Sequence, residues 1–305
     1  DLDWELDNSS EKLWDLVVTD ELHEIENTGY NNALSNLGVI AALENSSNGI
    51  NNQGSFKTLI NNGAISSNDS HAINNETSAV ITTLTNTGVI SSVNNTSINN
   101  IGAISSLTNM GTISAGGDNG IKNDGTIDYI SNTGTISAGN NIGIYNSGGT
   151  ITTLDNSQSN LTYKGALPTN YNAIINSPSD YGKVVFSGVS GATNFGVHSS
   201  STLAVGTYGA VMSGLNANNI ASGTSGKHSN SYACSDVNGT TATFTANCAD
   251  LDISGDNANV TINSGVTISG EGDLDWELDN SSEKLWDLVV AAQKDVINLG
   301  NNTSF

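Results

Sequence analysis

The feature that most constrains this chain is one phrase, Asn-x-Gly-x-Ile, which recurs at regular intervals between residues 25 and 154. Its asparagines and glycines are Asn36, Gly38, Asn61, Gly63, Asn86, Gly88, Asn100, Gly102, Asn109, Gly111, Asn123, Gly125, Asn132 and Gly134. Every second copy lies 23 to 25 residues away, as in the steps from 38 to 63 and from 88 to 111. A fixed period of this length is typical of a stacked solenoid.

Within each period the apolar runs are short and end at Asn or Gly, which indicates strands and turns and not helices. We expect Asn and Gly at the turns because both tolerate left-handed backbone angles. A single strand cannot bury its apolar side, whereas stacked coils bury isoleucine and leucine in continuous columns. The alternative, a disordered segment rich in Asn and Ser, does not explain why the apolar residues recur in register.

The repeat therefore predicts an all-β fold built on a right-handed parallel β-helix, with asparagine ladders at the turns and β-hairpins as caps. About five or six coils, at one strand spacing of ~4.8 Å each, would form a rod about 25–30 Å long. Residues 25–160 would form these β-helix repeats.

Charged residues are sparse, at 12% of the chain, yet the net charge is −22 because 30 acidic residues face only eight basic ones. Such a chain lacks the basic patches that bind nucleic acid or an anionic membrane surface, so we expect no nucleic-acid partner. No stretch of 18 apolar residues occurs, and the sequence therefore predicts no transmembrane helix.

The segment DLDWELDNSSEKLWDLVV occurs twice without one change, at residues 1–18 and 273–290. Trp and Leu alternate with acids on both sides of a polar turn, which predicts a β-hairpin. A helix capped at Asn8, with Glu11 in the capping-box position, is the alternative. Because a solenoid needs covered ends, we expect the two hairpins to act as caps, with Trp and Leu inward and carboxylates outward. The tryptophans of these caps are Trp4, Trp14, Trp276 and Trp286.

Three acid-rich pieces could bind calcium, a hard cation that prefers several oxygen ligands. They are Asp1, Asp3 and Asp7; Asp273, Asp275 and Asp279; and Asp250, Asp252 and Asp256. We favour the alternative, a solvated charged strand face that prevents edge-to-edge aggregation. The sequence therefore predicts no cofactor.

The chain has two cysteines, Cys234 and Cys248, on either side of what reads as two short strands around a turn at residues 237–240. We expect a disulfide between them that closes this loop, which would imply an oxidising compartment. The alternative is a pair of free buried thiols. A metal site is not expected, because no further cysteine or suitably spaced histidine completes a ligand set.

No catalytic arrangement stands out. The histidines, His23, His71, His198 and His228, lie in unrelated contexts, and Ser-His-Asp sets can be drawn in any serine-rich chain. The solenoid lacks the Gly-x-Ser-x-Gly elbow of hydrolases, and its few acids form no obvious pair of the kind that cleaves polysaccharides. We therefore predict that the protein is not an enzyme, and we assign no catalytic, cofactor-binding or metal residues.

After residue 160 the sequence pattern changes. The chain reads NAIINSPSDYG at 172–182, GATNFG at 191–196, YGAVMSGL at 208–215 and NIASGTSG at 219–226. These stretches resemble the C-terminal part of passenger domains from bacterial autotransporters (type V secretion). Trp276, Leu278 and WDLVV at 286–290 are similar to a hairpin of that family, and Ile-x-Asn-x-Gly-Thr-Ile is similar to its solenoid phrase.

The resemblance implies a β-helical passenger on the bacterial cell surface or outside the cell, exported through an outer-membrane β-barrel translocator in the full-length protein. It covers residues 25–226 and the hairpins. Two features depart from the family pattern: residues 232–270 look like the start of a mature passenger yet lie near the end, and the hairpin is duplicated. Either passenger units stand in tandem or the order has been rearranged.

We thus divide the chain into residues 1–24 (acidic Trp hairpin), 25–160 (β-helix repeats), 161–226 (C-terminal passenger-type region), 227–272 (disulfide hairpin and start-like strands) and 273–305 (second hairpin and tail). The first functional hypothesis is a non-enzymatic adhesin or self-associating spacer, whose partner is a glycan or protein on a host or neighbouring cell, or another copy of the rod. The second is a repeat unit of a surface filament or layer. The third is a β-helical enzyme that degrades polysaccharides.

Overall fold

A computed structural model describes residues 4–6, 15–43, 46–139, 142–204, 206–222, 225–230, 272–282 and 285–292. Cys234 and Cys248, the predicted disulfide and Trp14 lie outside these ranges, as do Asp1, Asp3, Asp7 and the acids at 250–256. No helix in the described part of the chain is both long enough and apolar enough to cross a bilayer.

The described residues form short strands joined by tight turns, plus one 3-10 turn at Ala217–Asn219. The first twenty strands are β1 (Trp4–Leu6), β2 (Asp15–Val18), β3 (Glu21–Leu22), β4 (Ile25–Asn27), β5 (Tyr30–Asn36), β6 (Val39–Ala42), β7 (Ile50–Asn52), β8 (Ser55–Asn61), β9 (Ala64–Ser67), β10 (Ile73–Asn75), β11 (Val80–Asn86), β12 (Val89–Ser92), β13 (Ile98–Asn100), β14 (Ala103–Asn109), β15 (Thr112–Ala115), β16 (Asn119–Asn123), β17 (Thr126–Asn132), β18 (Thr135–Ala138), β19 (Ile142–Asn146) and β20 (Thr150–Asn156). The remaining strands are β21 (Leu161–Ala166), β22 (Asn170–Ala173), β23 (Ile175–Ser177), β24 (Asp180–Tyr181), β25 (Val184–Ser190), β26 (Thr193–Val197), β27 (Gly206–Ser213), β28 (Ile220–Ser222), β29 (Ser225–Asn230), β30 (Gly272–Ser282) and β31 (Leu285–Ala292).

Three sheets run along the molecule, and each of the first six coils contributes one strand to each sheet. Sheet A has thirteen strands, in the order β1-β4-β7-β10-β13-β16-β19-β21-β25-β27-β31-β30-β29; sheet B has ten, in the order β2-β5-β8-β11-β14-β17-β20-β22-β26-β28; and sheet C has six, from β3 to β18. Neighbouring coils pair in parallel, for example Leu84 with Leu59 and Leu107. The prediction of an all-β parallel β-helix is therefore confirmed.

The stack extends beyond the predicted repeats in both directions. Sheet B spans roughly 43 Å at ~4.8 Å per strand step, compared with the expected length of about 25–30 Å. The difference arises because the segment before residue 25 and the segment after residue 160 add strands to the same sheets.

The core consists of inward-facing side chains that stack from coil to coil. In sheet C the column is Leu22, Ile40, Ile65, Ile90, Ile113 and Ile136, all of them buried. Where sheet C ends, the core becomes aromatic: Tyr163 packs on Phe186 with ring centroids 5.4 Å apart, and Tyr171 packs on Phe195 at 5.9 Å. Larger side chains thus fill the part of the core that the third sheet no longer encloses.

Buried asparagines form two ladders at the corners of the coil, as the sequence predicts. The A–B ladder, between sheets A and B, consists of Asn27, Asn52, Asn75, Asn100, Asn123 and Asn146; the B–C ladder consists of Asn36, Asn61, Asn86, Asn109, Asn132 and Asn156. Each Nδ2 donates to the Oδ1 of the next asparagine over 2.6 to 3.0 Å. The ladders therefore pair polar groups that burial would otherwise leave unsatisfied.

The repeat glycines are needed for close stacking and not for a left-handed backbone. None of them is among the described glycines with positive φ, so our expectation about turn angles was wrong. A Cβ at Gly63 or Gly88 would lie 2.0 Å from the carbonyl oxygen of the preceding coil's glycine. Any side chain at these positions would force the coils apart.

The predicted hairpin at the N-terminus is not formed. β1 pairs in parallel with β4 in sheet A, and β2 pairs in parallel with β5 in sheet B, so the two strands lie in different sheets. This arrangement gives partners to the edges of β4 and β5 and buries Val18 and Leu22 in the core. The strands β1, β2 and β3 thus form the first coil of the solenoid.

The second copy of the segment does form a hairpin, β30–β31, which continues sheet A in antiparallel pairing with β27. Trp276, Leu278 and Trp286 are buried, whereas Glu277 and Asp279 are exposed. Trp276 packs edge-on against Phe195 at 5.6 Å, and Trp286 Nε1 donates to the Leu215 carbonyl over 3.1 Å. This end of the core is therefore covered in the predicted manner.

Candidate functional site

The outer face of sheet A carries a continuous row of side chains. In each strand, the residue just before the ladder position points outward because its two neighbours point into the core or the ladder. The row reads Glu26, Asn51, Asn74, Asn99, Lys122, Tyr145 and Lys164, in register from coil to coil.

The first part of the row is a third asparagine ladder, on the outside of the rod. Asn74 Nδ2 donates to Asn51 Oδ1 over 3.0 Å, and Asn99 Nδ2 donates to Asn74 Oδ1 over 2.9 Å. Asn74 and Asn99 are themselves largely buried, and these bonds join three neighbouring coils.

A groove of about 410 Å³ lies beside this row, between the outer face of sheet A and the loops that arrive from sheet C. Its lining residues are His71, Asn95, Thr96, Asn99, Asp118, Asn119, Lys122, Ile142, Tyr145 and Lys164. The groove spans five neighbouring coils, so its chemistry is set by residues that stand about one period apart in the sequence.

Two cations and an aromatic ring meet on one wall of the groove. Lys164 Nζ lies 5.2 Å from the centroid of the Tyr145 ring, within the range of a cation–π contact. Lys122 Nζ pairs with Asp124 Oδ2 at 2.6 Å. Burial opposes ionisation of Asp124, but hydrogen bonds from Lys122 and Ser147 outweigh it and lower the pKa of that carboxyl.

The lining of the groove also contains His71, which is half-buried. Burial lowers the pKa of His71, and a hydrogen bond to the Thr96 carbonyl opposes that effect only in part. The His71 Nδ1 lies 3.1 Å from this oxygen, so the neutral ring carries its proton on Nδ1. The groove therefore combines amides, hydroxyls, a neutral imidazole, a ring and ammonium groups.

The lining of the groove includes one carboxylate, Asp118. Most glycosidases use two carboxyl groups that flank the bond to be cleaved. The groove is lined mainly by polar and charged side chains, and Asp118 has no second carboxylate beside it among the lining residues.

A second polar cluster lies on the outer face of sheet B. Tyr129 Oη donates to Asp155 Oδ2 over 2.5 Å, and Asn172 Nδ2 donates to Asp155 Oδ1 over 2.7 Å. His198 Nε2 lies 3.4 Å from the same carboxylate. Burial, together with the hydrogen bond and the charge of Asp155, raises the pKa of Tyr129 to about 12.

The structure shows where most of the residues that we assigned from the sequence lie. The repeat asparagines and glycines lie in the ladders and turns, and Trp276 and Trp286 lie in the cap, while only the backbone of Trp4 is described. Sequence analysis missed Lys122, Tyr145 and Lys164. For the first two a signal exists, since they are the middle residues of Ile121-Lys122-Asn123 and Ile144-Tyr145-Asn146, where other coils have Asn.

Across the residues that the structure describes, no group of three or more His, Cys, Asp and Glu side chains is placed to hold a metal ion. No protein-family model, no curated protein and no solved structure matches this chain. The geometry of the rod and its two polar sites therefore carries the functional argument.

Proposed function

We propose that this chain is a surface-exposed β-helical passenger that acts as an adhesin or a self-associating spacer on a bacterial cell. The observation that carries this proposal is the groove on sheet A, where Tyr145, Lys122 and Lys164 stand beside a row of amides. Export through an outer-membrane translocator in the full-length protein and a place at the cell surface belong to the same proposal.

The groove favours a glycan as the ligand. A saccharide presents many hydroxyl groups, which amides, hydroxyls and ammonium groups can bind, and an apolar ring face, which an aromatic side chain can contact. Because the coils repeat at ~4.8 Å per strand step, equivalent side chains repeat along the row, as the units of an oligosaccharide do.

Binding of the full chain to an oligosaccharide array tests this proposal. We expect Tyr145→Ala and Lys164→Ala to weaken binding about 10-fold or more, which corresponds to the loss of one good contact. Tyr30→Ala is the matched control, because Tyr30 is 71% exposed on sheet B. Equal binding by all four proteins would place the ligand elsewhere, and an absence of both glycan binding and self-association would refute the proposed function.

A second candidate is a repeat unit of a filament or layer. At the N-terminal end, no described strand lies beyond β1, β2 or β3 in their sheets, so each sheet presents an edge that another copy could pair with. Sedimentation over a range of concentrations would show head-to-tail growth if this candidate is correct, and a concentration-independent monomer would argue against it.

A further inference from the structure

Three side chains on the outer face of sheet B form a line that the groove on sheet A does not involve. His198 follows β26, and its Nδ1 lies 2.7 Å from Ser200 Oγ. Its Nε2 lies 3.4 Å from Asp155 Oδ2 on β20. A hydroxyl, an imidazole and a carboxylate in this order are the groups by which proteins activate a serine.

The carboxylate in this line has a fixed position. Asp155 is 2% exposed, and the hydrogen bonds from Tyr129 and Asn172 occupy both of its oxygens. Asn172 lies close over its sheet neighbour Gly196, where a Cβ would lie 2.3 Å from Asn172 Oδ1. The imidazole therefore faces a buried carboxylate whose orientation is fixed by two hydrogen bonds.

The backbone determines which ring nitrogen can act as a base. Ser200 N–H donates to His198 Nδ1 over 3.2 Å, and an N–H donor pairs only with a nitrogen lone pair. In the neutral ring the proton therefore resides on Nε2, on the side that faces Asp155. The Nδ1 lone pair is shared between the Ser200 amide at 3.2 Å and the Ser200 hydroxyl at 2.7 Å, and the nearer hydroxyl can pass its proton to it.

Ser200 is also accessible. The turn at 198–201, closed by the bond from Ser201 N–H to the His198 carbonyl over 2.9 Å, holds Ser200 exposed at the surface. Small acyl donors can therefore reach the hydroxyl from solvent without any rearrangement of the rod.

We propose that Ser200 is an activated nucleophile that takes an acyl group from small carboxylic esters. Ser200 Oγ bonds to the ester carbonyl carbon while its proton passes to His198 Nδ1. The bond between the carbonyl carbon and the alkoxy oxygen then breaks, and the proton passes to that oxygen, which leaves as the alcohol. Water can attack the acyl-serine in the same way, which releases a carboxylic acid and restores the hydroxyl.

Asp155 is a positioning residue in this scheme. It stabilises the imidazolium from the Nε2 side and holds the ring in the productive tautomer, while Tyr129 and Asn172 hold Asp155. The site lies on a different sheet from the groove, so this proposal and the proposed glycan binding are tested independently of each other.

p-Nitrophenyl acetate is the probe, used with the full chain. We expect a release of p-nitrophenolate together with one acetyl group, located by peptide mass analysis on Ser200. Ser200→Ala should abolish this acetylation, and His198→Gln should slow it about 100-fold, the usual scale of a general base. Ser199→Ala is the matched control, because Ser199 is the adjacent exposed serine, and it should leave the rate unchanged.

Asp155→Asn separates positioning from simple packing. An amide at this place can donate to Nε2 and so move the ring proton to Nδ1, where it blocks the base. Nitrogen-15 spectra of His198 should show this tautomer change, and acetylation should fall in the same variant while circular dichroism shows the rod intact. Acetylation that is absent from the wild-type chain, or that is equally fast in His198→Gln, or that occurs only at Ser199 and lysines, would overturn the proposal.

Discussion

Asn86 illustrates what one residue contributes to the stack. It accepts a hydrogen bond from Asn61 over 2.8 Å, donates to Asn109 over 2.8 Å, and donates to the Thr112 carbonyl over 3.1 Å. Replacing it with alanine would remove the ladder acceptor of Asn61 Nδ2 and the donor to the buried Asn109 Oδ1.

We therefore expect Asn86→Ala to lower the free energy of unfolding by about 2 kcal/mol or more. Asn62→Ala is the control, because Asn62 lies one turn position away from the ladder and is exposed; its effect should stay below about 0.5 kcal/mol. Urea denaturation of the two variants and the wild type makes the comparison. Similar losses in both variants would contradict a special role for the ladder.

A glycine prediction follows from the same stacking. Gly88→Ala would place a Cβ 2.0 Å from the Gly63 carbonyl oxygen, whereas the nearest atom to a Cβ at Gly148 is Asp124 Oδ1 at 3.6 Å. We expect Gly88→Ala to destabilise the fold by about 3 kcal/mol and Gly148→Ala to have little effect. Thermal melts of both variants test this, and equal melting temperatures would show that the coils can separate without cost.

Ionisation of Tyr129 makes the stability of the fold depend on pH in the alkaline range. The pKa of Tyr129 in the folded chain is raised from 10.0 to about 12, first by burial and then by the bond to Asp155. Because the folded pKa lies above the unfolded value, this stabilising contribution is complete below pH 10 and is lost as the pH rises through 12. Denaturation between pH 9 and 12 should show a steeper decline for the wild type than for Tyr129→Phe, and parallel curves would contradict it.

At the scale of residues, the sequence predicts the ladder asparagines because their spacing equals the coil period. It does not reveal why glycine follows them, since the distance between stacked turns depends on two coils at once. The link between Asp155 and His198 is invisible for the same reason: the two residues stand 43 positions apart and meet only when β20, β22 and β26 lie side by side.

Among the elements, the last strand of sheet C shows how a sheet edge is closed by one side chain. Gln158 Oε1 accepts the Ile136 N–H over 2.8 Å, and Gln158 Nε2 donates to the Ile136 carbonyl over 3.1 Å. The amide thus imitates the next strand for one residue of β18.

We expect Gln158→Ala to cost about 2 kcal/mol, because it leaves buried backbone groups unpaired. Hydrogen exchange at the Ile136 amide should accelerate more than exchange at Ile113, which lies one coil further inside. Gln53→Ala is the control, because the Gln53 side chain bonds to Glu26 at the exposed surface. Unchanged exchange at Ile136 would mean that the edge is closed by other means.

The duplicated segment shows where element prediction from sequence reaches its limit. Its alternating pattern predicts strands, and strands form in both copies. Whether those strands pair with each other or with a neighbouring coil depends on which sheet edge lies next to them. The preference of a residue for a strand is determined by its surroundings more than by its backbone. Beside β4 and β5 the segment forms a coil, and beside β27 it forms a hairpin.

At the scale of the whole molecule, the hairpin β30–β31 closes the stack. Deletion of residues 273–290 would remove the Trp276 ring that packs on Phe195, the Trp286 donor to the Leu215 carbonyl and the strand that pairs with β27. We expect a lower melting temperature and concentration-dependent oligomers, measured by calorimetry and light scattering, because an uncovered solenoid end exposes apolar surface and strand edges. Deletion of residues 293–305 is the control, and a stable monomer after the first deletion would contradict the capping role.

The fold as a whole can be predicted from the repeat, because few architectures are compatible with a fixed period and short apolar runs. The groove on sheet A is not, because its lining comes from outward positions at which the repeat permits any polar residue. Lys122, Tyr145 and Lys164 differ from the asparagines that precede them in the row, and only the coil register shows that they are neighbours.

The one-way order of hydrogen bonds in the two buried ladders gives each of them a dipole along the axis of the rod. Every asparagine amide in the A–B and B–C ladders donates toward the C-terminal end, so their dipoles add, and each rung strengthens the next. The B–C ladder begins with a buried acceptor that has no partner, Asn36 Oδ1, since the residue beneath it is Val18. Its N-terminal end therefore carries partial negative charge, and two rods that meet end to end attract in head-to-tail order and repel when the two N-terminal ends face each other.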